Sequence, residues 1–446
     1  MTSPLFISLA IFAVTFFFIL TERIHRTVIA LAGAVLMIVA GVVFDFYHPY
    51  EAVAAIDFNT LGLLFGMMIL VVVLEKTGFF QYLGIVTAKK TGGNPWLLLV
   101  ALGALTGGLS MILDNVTTII LIAPVTIIVA RLLGVNPTPI LLAEAILSNV
   151  GGTGTLIGDP PNIMIGSAAG FSFNTFLVYS LPVAIGAWVV SIAVFRFFFK
   201  TQLQSSGDTE RLAALNAREA ITDPKTLKKM LAILGFTILL FFLHGALHLE
   251  PAIVALIGAS LALLLVHPKH DPQPILEKVE LSVLLFFASL FILVGGLEHA
   301  GVLSAVSQWL VSGAAENPLL TAIIVLWASA ILSALVDNIP LTVAMIPIIG
   351  LIGVSGVPVD LLWWALVFGV GFGGNASPIG SSAGVIVVSK SEQTEHPISF
   401  VNWLKVGVPV TAAALLFATG ALVLMDSLGV GKQAEGFAAP SREVTH

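Results

Sequence analysis

The sequence predicts an all-α polytopic membrane protein made of two inverted-topology repeats, each with five spans, one of them unwound, and one re-entrant helical hairpin. Three observations lead there. Hydrophobic residues make up 58% of the 446 positions and charged residues 10%, against about 25% charged in soluble domains. Apolar runs such as 61–74 and 283–297 recur along the whole length, so the chain crosses a membrane many times rather than once. The second observation is a register. Asp114, in Ser110-Met111-Ile112-Leu113-Asp114-Asn115-Val116-Thr117-Thr118, lies 223 residues (337 − 114) before Asp337 in Ser333-Ala334-Leu335-Val336-Asp337-Asn338-Ile339-Pro340-Leu341. The third is the distribution of Lys and Arg, taken up below.

The same offset of 223 pairs Asp57 with Glu280, Leu74-Glu75-Lys76-Thr77-Gly78 with Leu297-Glu298-His299-Ala300-Gly301, and Pro124 with Pro347. At 222, one deletion later, Gly151-Gly152-Thr153-Gly154-Thr155-Leu156-Ile157-Gly158 pairs with Gly373-Gly374-Asn375-Ala376-Ser377-Pro378-Ile379-Gly380. One register held through separate segments implies tandem repeats, 1–200 and 229–426, joined by a polar linker 201–228 and followed by a tail 427–446.

In chain order, residues 4–21 read as a retained first span, because the start has no basic region and no small-residue cleavage site. Spans near 26–46 and 58–75 follow. The apolar segment 95–134 is interrupted at Asp114-Asn115. Two full crossings are the alternative there, but the polar break favours a hairpin with its tip at mid-depth. A broken span at 138–170 and a span at 174–199 complete the half. Five crossings per half turn the second half upside down. With the N-terminus outside, seventeen of the 19 Lys and Arg fall on inside loops and span ends, leaving Lys432 and Arg442 in the tail. That is the positive-inside pattern, and it places both termini outside.

Several function classes drop out. With no cysteine, disulfides, thiolate metal sites and cysteine nucleophiles are excluded. A net charge of −6 spread over loops suggests no nucleic-acid partner, and nothing calls for a cofactor. His244/His248 and His267/His270 have ligand-like spacing but sit near span ends, where interfacial or loop histidine is the expected role rather than a metal site. An intramembrane aspartyl protease would need two buried aspartates in Tyr-Asp and Gly-x-Gly-Asp settings. Asp114 follows Leu113 and Asp159 follows Leu156-Ile157-Gly158, so both signatures fail.

The chemistry concentrates in two places. A carboxylate costs roughly 2.5–3.5 kcal/mol at the centre of a membrane helix, so a duplicated aspartate at a hairpin tip suggests substrate or proton binding. Asp114 and Asp337 can also cap the helices that follow, with Thr117, Thr118 and Pro340 in their first turns. The second place is Ser148-Asn149-Val150-Gly151-Gly152-Thr153-Gly154-Thr155-Leu156-Ile157-Gly158-Asp159-Pro160-Pro161-Asn162. Its glycines and prolines cannot stay helical, and the freed backbone, Thr153, Thr155, Asp159 and Asn162 are placed to line a polar pocket. The counterpart Gly373-Gly374-Asn375-Ala376-Ser377-Pro378-Ile379-Gly380-Ser381-Ser382 carries no carboxylate. Glu144, matched by Val367 or Leu366, is read as a lone proton carrier or an interfacial residue. Asp57 and Glu280 are read as helix caps, and Glu75 and Glu298 as interfacial span ends.

The run Gly151 to Asn162 resembles the unwound-helix motif of the ion transporter superfamily. That group includes ArsB-type arsenite permeases, NhaD-type sodium/proton antiporters, the melanosomal P protein and dicarboxylate transporters. The resemblance covers nearly the whole chain, is closest to an ArsB-type arsenite/antimonite permease, and is specific for the superfamily rather than the substrate. It implies two hairpins and two broken helices forming a transport domain that moves against a scaffold, commonly in a homodimer. Dicarboxylate members carry Ser-Asn-Thr at the tips and use bound sodium. Here Asp114-Asn115-Val116 and Asp337-Asn338-Ile339 put a carboxylate there, which would repel a dicarboxylate and could instead exchange a proton.

The resulting expectation is secondary active efflux of arsenite or antimonite across the cytoplasmic (inner) membrane, coupled to proton entry. Sodium/proton antiport is the alternative, and a passive channel is separated only by a test for uphill transport. Uncharged As(OH)3 would take hydrogen bonds from Asn115, Asn338, Thr117, Thr153, Thr155 and Ser377, while Asp114 and Asp337 exchange protons. Thr118, Asn149, Gly151, Gly152, Asp159, Asn162, Gly373, Gly374, Asn375 and Ser381 complete the candidate site. The weakly amphipathic stretch 208–220, with Leu212 and Leu215 on one side, is expected to be a solvated helix, with docking of an arsenical ATPase subunit as the alternative.

Overall fold

In a computed structural model of the chain, residues 3–21, 23–200, 202–203, 212, 214–266 and 271–430 are described. Most of 204–213, residues 267–270 and the tail 431–446 lie outside them, so the expectations for 208–211 and 213 of the 208–220 helix, for His267 and His270 and for the tail beyond 430 do too. The described residues are helical throughout, without strands. The first half consists of α1 (Ser3–Thr21), α2 (Arg26–Val43), α3 (Pro49–Ala54), α4 (Phe58–Glu75), α5 (Phe79–Lys90), α6 (Pro95–Ser110), α7 (Asn115–Leu133), α8 (Thr138–Gly152), α9 (Pro160–Ala169) and α10 (Phe173–Phe199). The second consists of α11 (Pro224–Leu243), α12 (Pro251–Val266), α13 (Gln273–Leu276), α14 (Leu281–His299), α15 (Val302–Glu316), α16 (Pro318–Leu335), α17 (Asn338–Val354), α18 (Asp360–Gly373), α19 (Ser382–Ser391) and α20 (Phe400–Ser427).

The repeat is visible in where helices start. α4, α5, α6 and α7 begin at 58, 79, 95 and 115, and α14, α15, α16 and α17 at 281, 302, 318 and 338, each 223 later. α8 and α9 begin at 138 and 160, and α18 and α19 at 360 and 382, each 222 later. The deletion therefore lies before α8, which makes Leu366 the counterpart of Glu144. Matching starts have matching causes. Asn94 accepts from Leu97 N–H and Asn317 from Leu320 N–H, each ahead of a proline, the residue pair that favours a helix start. Ser172 and Ser399 cap α10 and α20 in the same way.

Inversion follows from which helices run parallel. Thr27 donates to the Ser282 carbonyl, and ten residues on, a Cβ at Gly296 would lie 2.3 Å from Met37 Cγ. Numbers rise together, so α2 and α14 run the same way. Likewise Gly62 faces Ala252, Gly66 faces Ala255 and Leu70 faces Gly258, so α4 and α12 are parallel. Successive spans α2 and α4 are antiparallel, so each helix is antiparallel to its own repeat mate. The packing is reciprocal too: α17 rests on α9 as α7 rests on α19.

Among the described residues eight helices are long and apolar enough to cross a membrane unaided, including the hairpin arms α7 and α16. α9 and α19, at 10 residues each, span only about 15 Å, and each completes a crossing with the helix before it. Leu212, on the apolar side of the stretch expected to be a solvated helix, is buried, and Lys89 Nζ donates to the Leu215 carbonyl. The end of the linker thereby packs onto the first half.

Candidate functional site

Four broken ends meet in the first repeat. α6 stops at Ser110 and α7 restarts at Asn115, while α8 stops at Gly152 and α9 restarts at Pro160. The halves meet the same way in both repeats: a Cβ on Gly151 would lie 2.3 Å from the Gly107 carbonyl oxygen, and one on Gly373 2.4 Å from Ala330 Cα. Only glycine lets hairpin and broken helix approach backbone to backbone here. Asn162 Nδ2 donates to the freed carbonyls of Gly152, Thr153 and Thr155 at 3.0, 3.1 and 2.7 Å, the groups that cannot be left unpaired in a membrane.

Asp159 is the hub. Its Oδ1 accepts from Asn115 Nδ2 at 3.2 Å and its Oδ2 from Asn338 Nδ2 at 3.4 Å. Asn115 and Asn338 are repeat mates, so both hairpin tips reach one carboxylate. Asn115 also donates to Asn149 Oδ1 at 2.9 Å, and Asn149 Nδ2 donates to Asn375 Oδ1 and Ser381 Oγ, both at 2.8 Å. Ser381 is the counterpart of Asp159, which makes the cluster symmetric in position and asymmetric in charge. Asn149 meets Asn375 while Thr153 packs on Gly371. Numbers fall in one helix as they rise in the other, the antiparallel crossing an inverted repeat requires. All of these side chains are buried, and Asp159 feels the charges of Asp337 and Asp114.

The two tip aspartates differ. Asp114 caps α7: its Oδ1 accepts from Thr117 N–H at 2.8 Å and its Oδ2 from the Thr117 hydroxyl at 2.5 Å. Asp337 caps nothing, contrary to expectation, because Pro340 stands where Thr117 stands and has neither N–H nor hydroxyl. Its Oδ2 instead accepts from Arg26 Nη1 and from Ser382 Oγ, both at 3.0 Å, while its Oδ1 is buried without a partner. Arg26 reaches across from α2 and lies over the Phe286 ring.

Other candidates have structural duties. Thr153 bonds to the Asn149 carbonyl, Thr155 to that of Met111 and Ser377 to that of Ala334. The last two are repeat mates that pin each unwound segment to its hairpin. Thr118 closes the first turn of α7 on the Asp114 carbonyl. Thr153, Thr155 and Ser377 therefore donate their hydroxyl protons to backbone carbonyls and keep only acceptor capacity. Gly152 and Gly374 crowd the Gly158 and Gly380 carbonyls. Asp57 caps α4 through Asn59 N–H, but Glu280 makes no cap bond. Glu144 is fully buried within the protein. His244 engages Phe173 N–H and the Leu249 carbonyl, a structural role.

Two cavities lie at opposite ends of α4. One, about 270 Å³, is lined by Glu75, Lys278, Glu280 and Thr117 among others, so it reaches the Asp114 tip; Lys278 lies 3.9 Å from Glu75. The other, about 610 Å³, is lined by Asp57, Asn59, Leu156, Ile163 and Glu250 among others. Sequence reasoning missed Arg26, Ser382 and Glu280 as neighbours of the tips. The one signal was the mismatch of Thr117 with Pro340, which leaves Asp337 in need of another partner.

The sequence profile of the family described as "Citrate transporter" matches residues 16–369. A "46 kDa membrane protein" of Mycobacterium leprae is 38% identical over 421 residues, covering 92% of this chain and 96% of that protein. An "Uncharacterized transporter" of Mycobacterium tuberculosis is 37% identical over 415 residues, with 92% and 96% covered. The human "P protein" is 33% identical over 487 residues, covering 91% of this chain and 58% of its own length. Among solved structures, the YdaH transporter of Alcanivorax borkumensis, described as having an unusual topology, aligns over 92% of this chain and 99% of its own with a TM-score of 0.59 at 14% identity.

Proposed function

The chain belongs to the citrate transporter family, and from that premise we propose that this membrane-embedded transporter of small substrates is a proton-coupled secondary transporter whose substrate binds where Asn115 and Asn338 meet Asp159. The observation that carries the reading is the hub itself. A carboxylate held by amides from both hairpin tips, with no cationic side chain on it among the described residues, must be offset by a proton or a bound cation. Amides turned by substrate would release or admit that charge and shift both tips together.

The finer reading is efflux of arsenite or antimonite against entering protons. Uncharged As(OH)3 fits a site of amides and carboxylates, and it meets no positive charge that Asp337 does not already hold. Asn115 and Asn338 would supply donors to its hydroxyls by turning away from Asp159 and Asn149, the acceptors they otherwise hold. A second reading, sodium/proton antiport, is favoured by the same carboxylates, which together with the unwound carbonyls make a cation site. The family's description names citrate. A free citrate anion would face Asp114, Asp159 and Asp337, with Arg26 already paired to Asp337 and Lys278 beside Glu75, so here it would have to travel with cations that offset its charge.

The proposal extends to organisation: repeats at 1–200 and 229–426, both termini outside an inner membrane, assembly as a homodimer, and an ATPase subunit docking near the linker. The discriminating experiment is arsenite uptake into everted vesicles under an imposed proton gradient, with and without sodium. Sodium-independent accumulation that disappears in Asp159→Asn is the expected result. Collapse of the gradient by sodium, with no arsenite signal, would select the antiporter reading.

A further inference from the structure

We propose that Glu144 is a second proton-binding site of this transporter, separate from the Asp159 cluster. Glu144 lies on α8, fully buried. The Thr126 hydroxyl of α7 bonds its Oε1 at 2.5 Å, and its Oε2 is buried with no partner. The elements packed against α8 are α6, α7, α10, α18, α19 and the 3-10 turn Gly374–Ala376. Their charged and titratable residues are Arg131 on α7, Tyr179 and Arg196 on α10, Asp360 on α18 and Lys390 on α19. Among the described residues none of them pairs with Glu144, and its one polar partner is Thr126. Arg196 lies over the Trp96 ring instead.

The molecule contains its own control. The repeat mates of Thr126 and Glu144 are Ile349 and Leu366, both buried between α17 and α18. The equivalent buried positions on this second helix pair are thus hydrocarbon, where α7 and α8 carry a hydroxyl and a carboxyl. Packing accepts the apolar pair, so it does not demand the polar one. An ionised carboxylate buried without a partner costs several kcal/mol, and a bound proton removes that cost. A group of this kind inside a membrane marks a proton relay or ion path. Glu144 and Thr126 sit on the two helices that carry Asn149 and Asn115. Gain or loss of its proton therefore acts on the contact between the first hairpin and the broken helix.

The inference rests on the proton-coupled reading, and the experiment separates the two. Purified protein in lipid is followed by infrared difference spectroscopy of the protonated-carboxyl C=O band between low and high pH. The wild type is expected to show a pH-dependent component that Glu144→Gln lacks. In vesicles, the double variant Thr126→Ile/Glu144→Leu copies the second repeat; it is expected to fold with unchanged thermal stability and to lose proton flux driven by arsenite or sodium. A double variant with the wild-type flux and pH profile would overturn the proposal, as would a Glu144 band that does not change with pH. A wild type that moves no protons would instead sink the function proposed above, while the infrared band would still decide Glu144.

Discussion

Asp114 and Asp337 occupy equivalent positions and do different work, because one residue in the following turn differs. Thr117 offers Asp114 an N–H and a hydroxyl; Pro340 offers Asp337 neither, and Arg26 takes its place. Two outcomes follow. Arg26→Met leaves Asp337 charged with one buried oxygen already unpaired. With side chains 35% and 16% exposed, solvent screens part of the loss, so unfolding should be easier by about 1–2 kcal/mol. Adding Asp337→Asn should return most of it, and thermal melting of the two variants checks both. Asp159→Asn should keep the fold, since its oxygen still accepts from one tip amide and the other tip amide can turn its own oxygen toward the new NH2, but lose proton coupling. The sequence made the paired aspartates legible because two buried carboxylates in register are rare. It could not reveal that Asp159, present once, draws both tips to itself, since that contact joins residues 179 positions apart.

Among the elements, the hairpins and unwound helices came through clearly in the sequence, down to the tip residues, because glycine, proline and aspartate interrupt apolar runs for steric and electrostatic reasons that do not depend on the rest of the fold. What the unwound backbone packs against was hidden. The hydroxyls of Thr155 and Ser377 look like ligand donors in sequence, yet they tie each unwound segment to its own hairpin. The glycines at 151 and 373 look like flexibility but permit contact. Gly151→Ala would press a methyl 2.3 Å from the Gly107 oxygen. Overpacking of that kind costs about 1–3 kcal/mol, and both melting temperature and transport should fall. By contrast Gly108→Ala, where a Cβ meets nothing within 4 Å, should leave both near wild type.

Across the whole molecule, cavities lie at the two ends of α4, one lined by Glu75, Glu280 and Thr117 and the other by Asp57, Asn59 and Leu156. Charge placement anticipated the inversion, and the parallel pairs α2 with α14 and α4 with α12 bear it out. The absence of cysteine makes orientation directly testable: a cysteine at Asn216, in the linker, should react with an impermeant thiol reagent only from the inside, and one at Ser427 only from the outside. Labelling of both from one side would contradict five crossings per half. The central claim is that one carboxylate, shared by two inverted hairpin tips, exchanges its proton as substrate binds. It is met most directly by the proton release from purified protein in weak buffer when arsenite, or sodium, is added. The account predicts a release in the wild type that is absent in Asp159→Asn; equal release from both would contradict it.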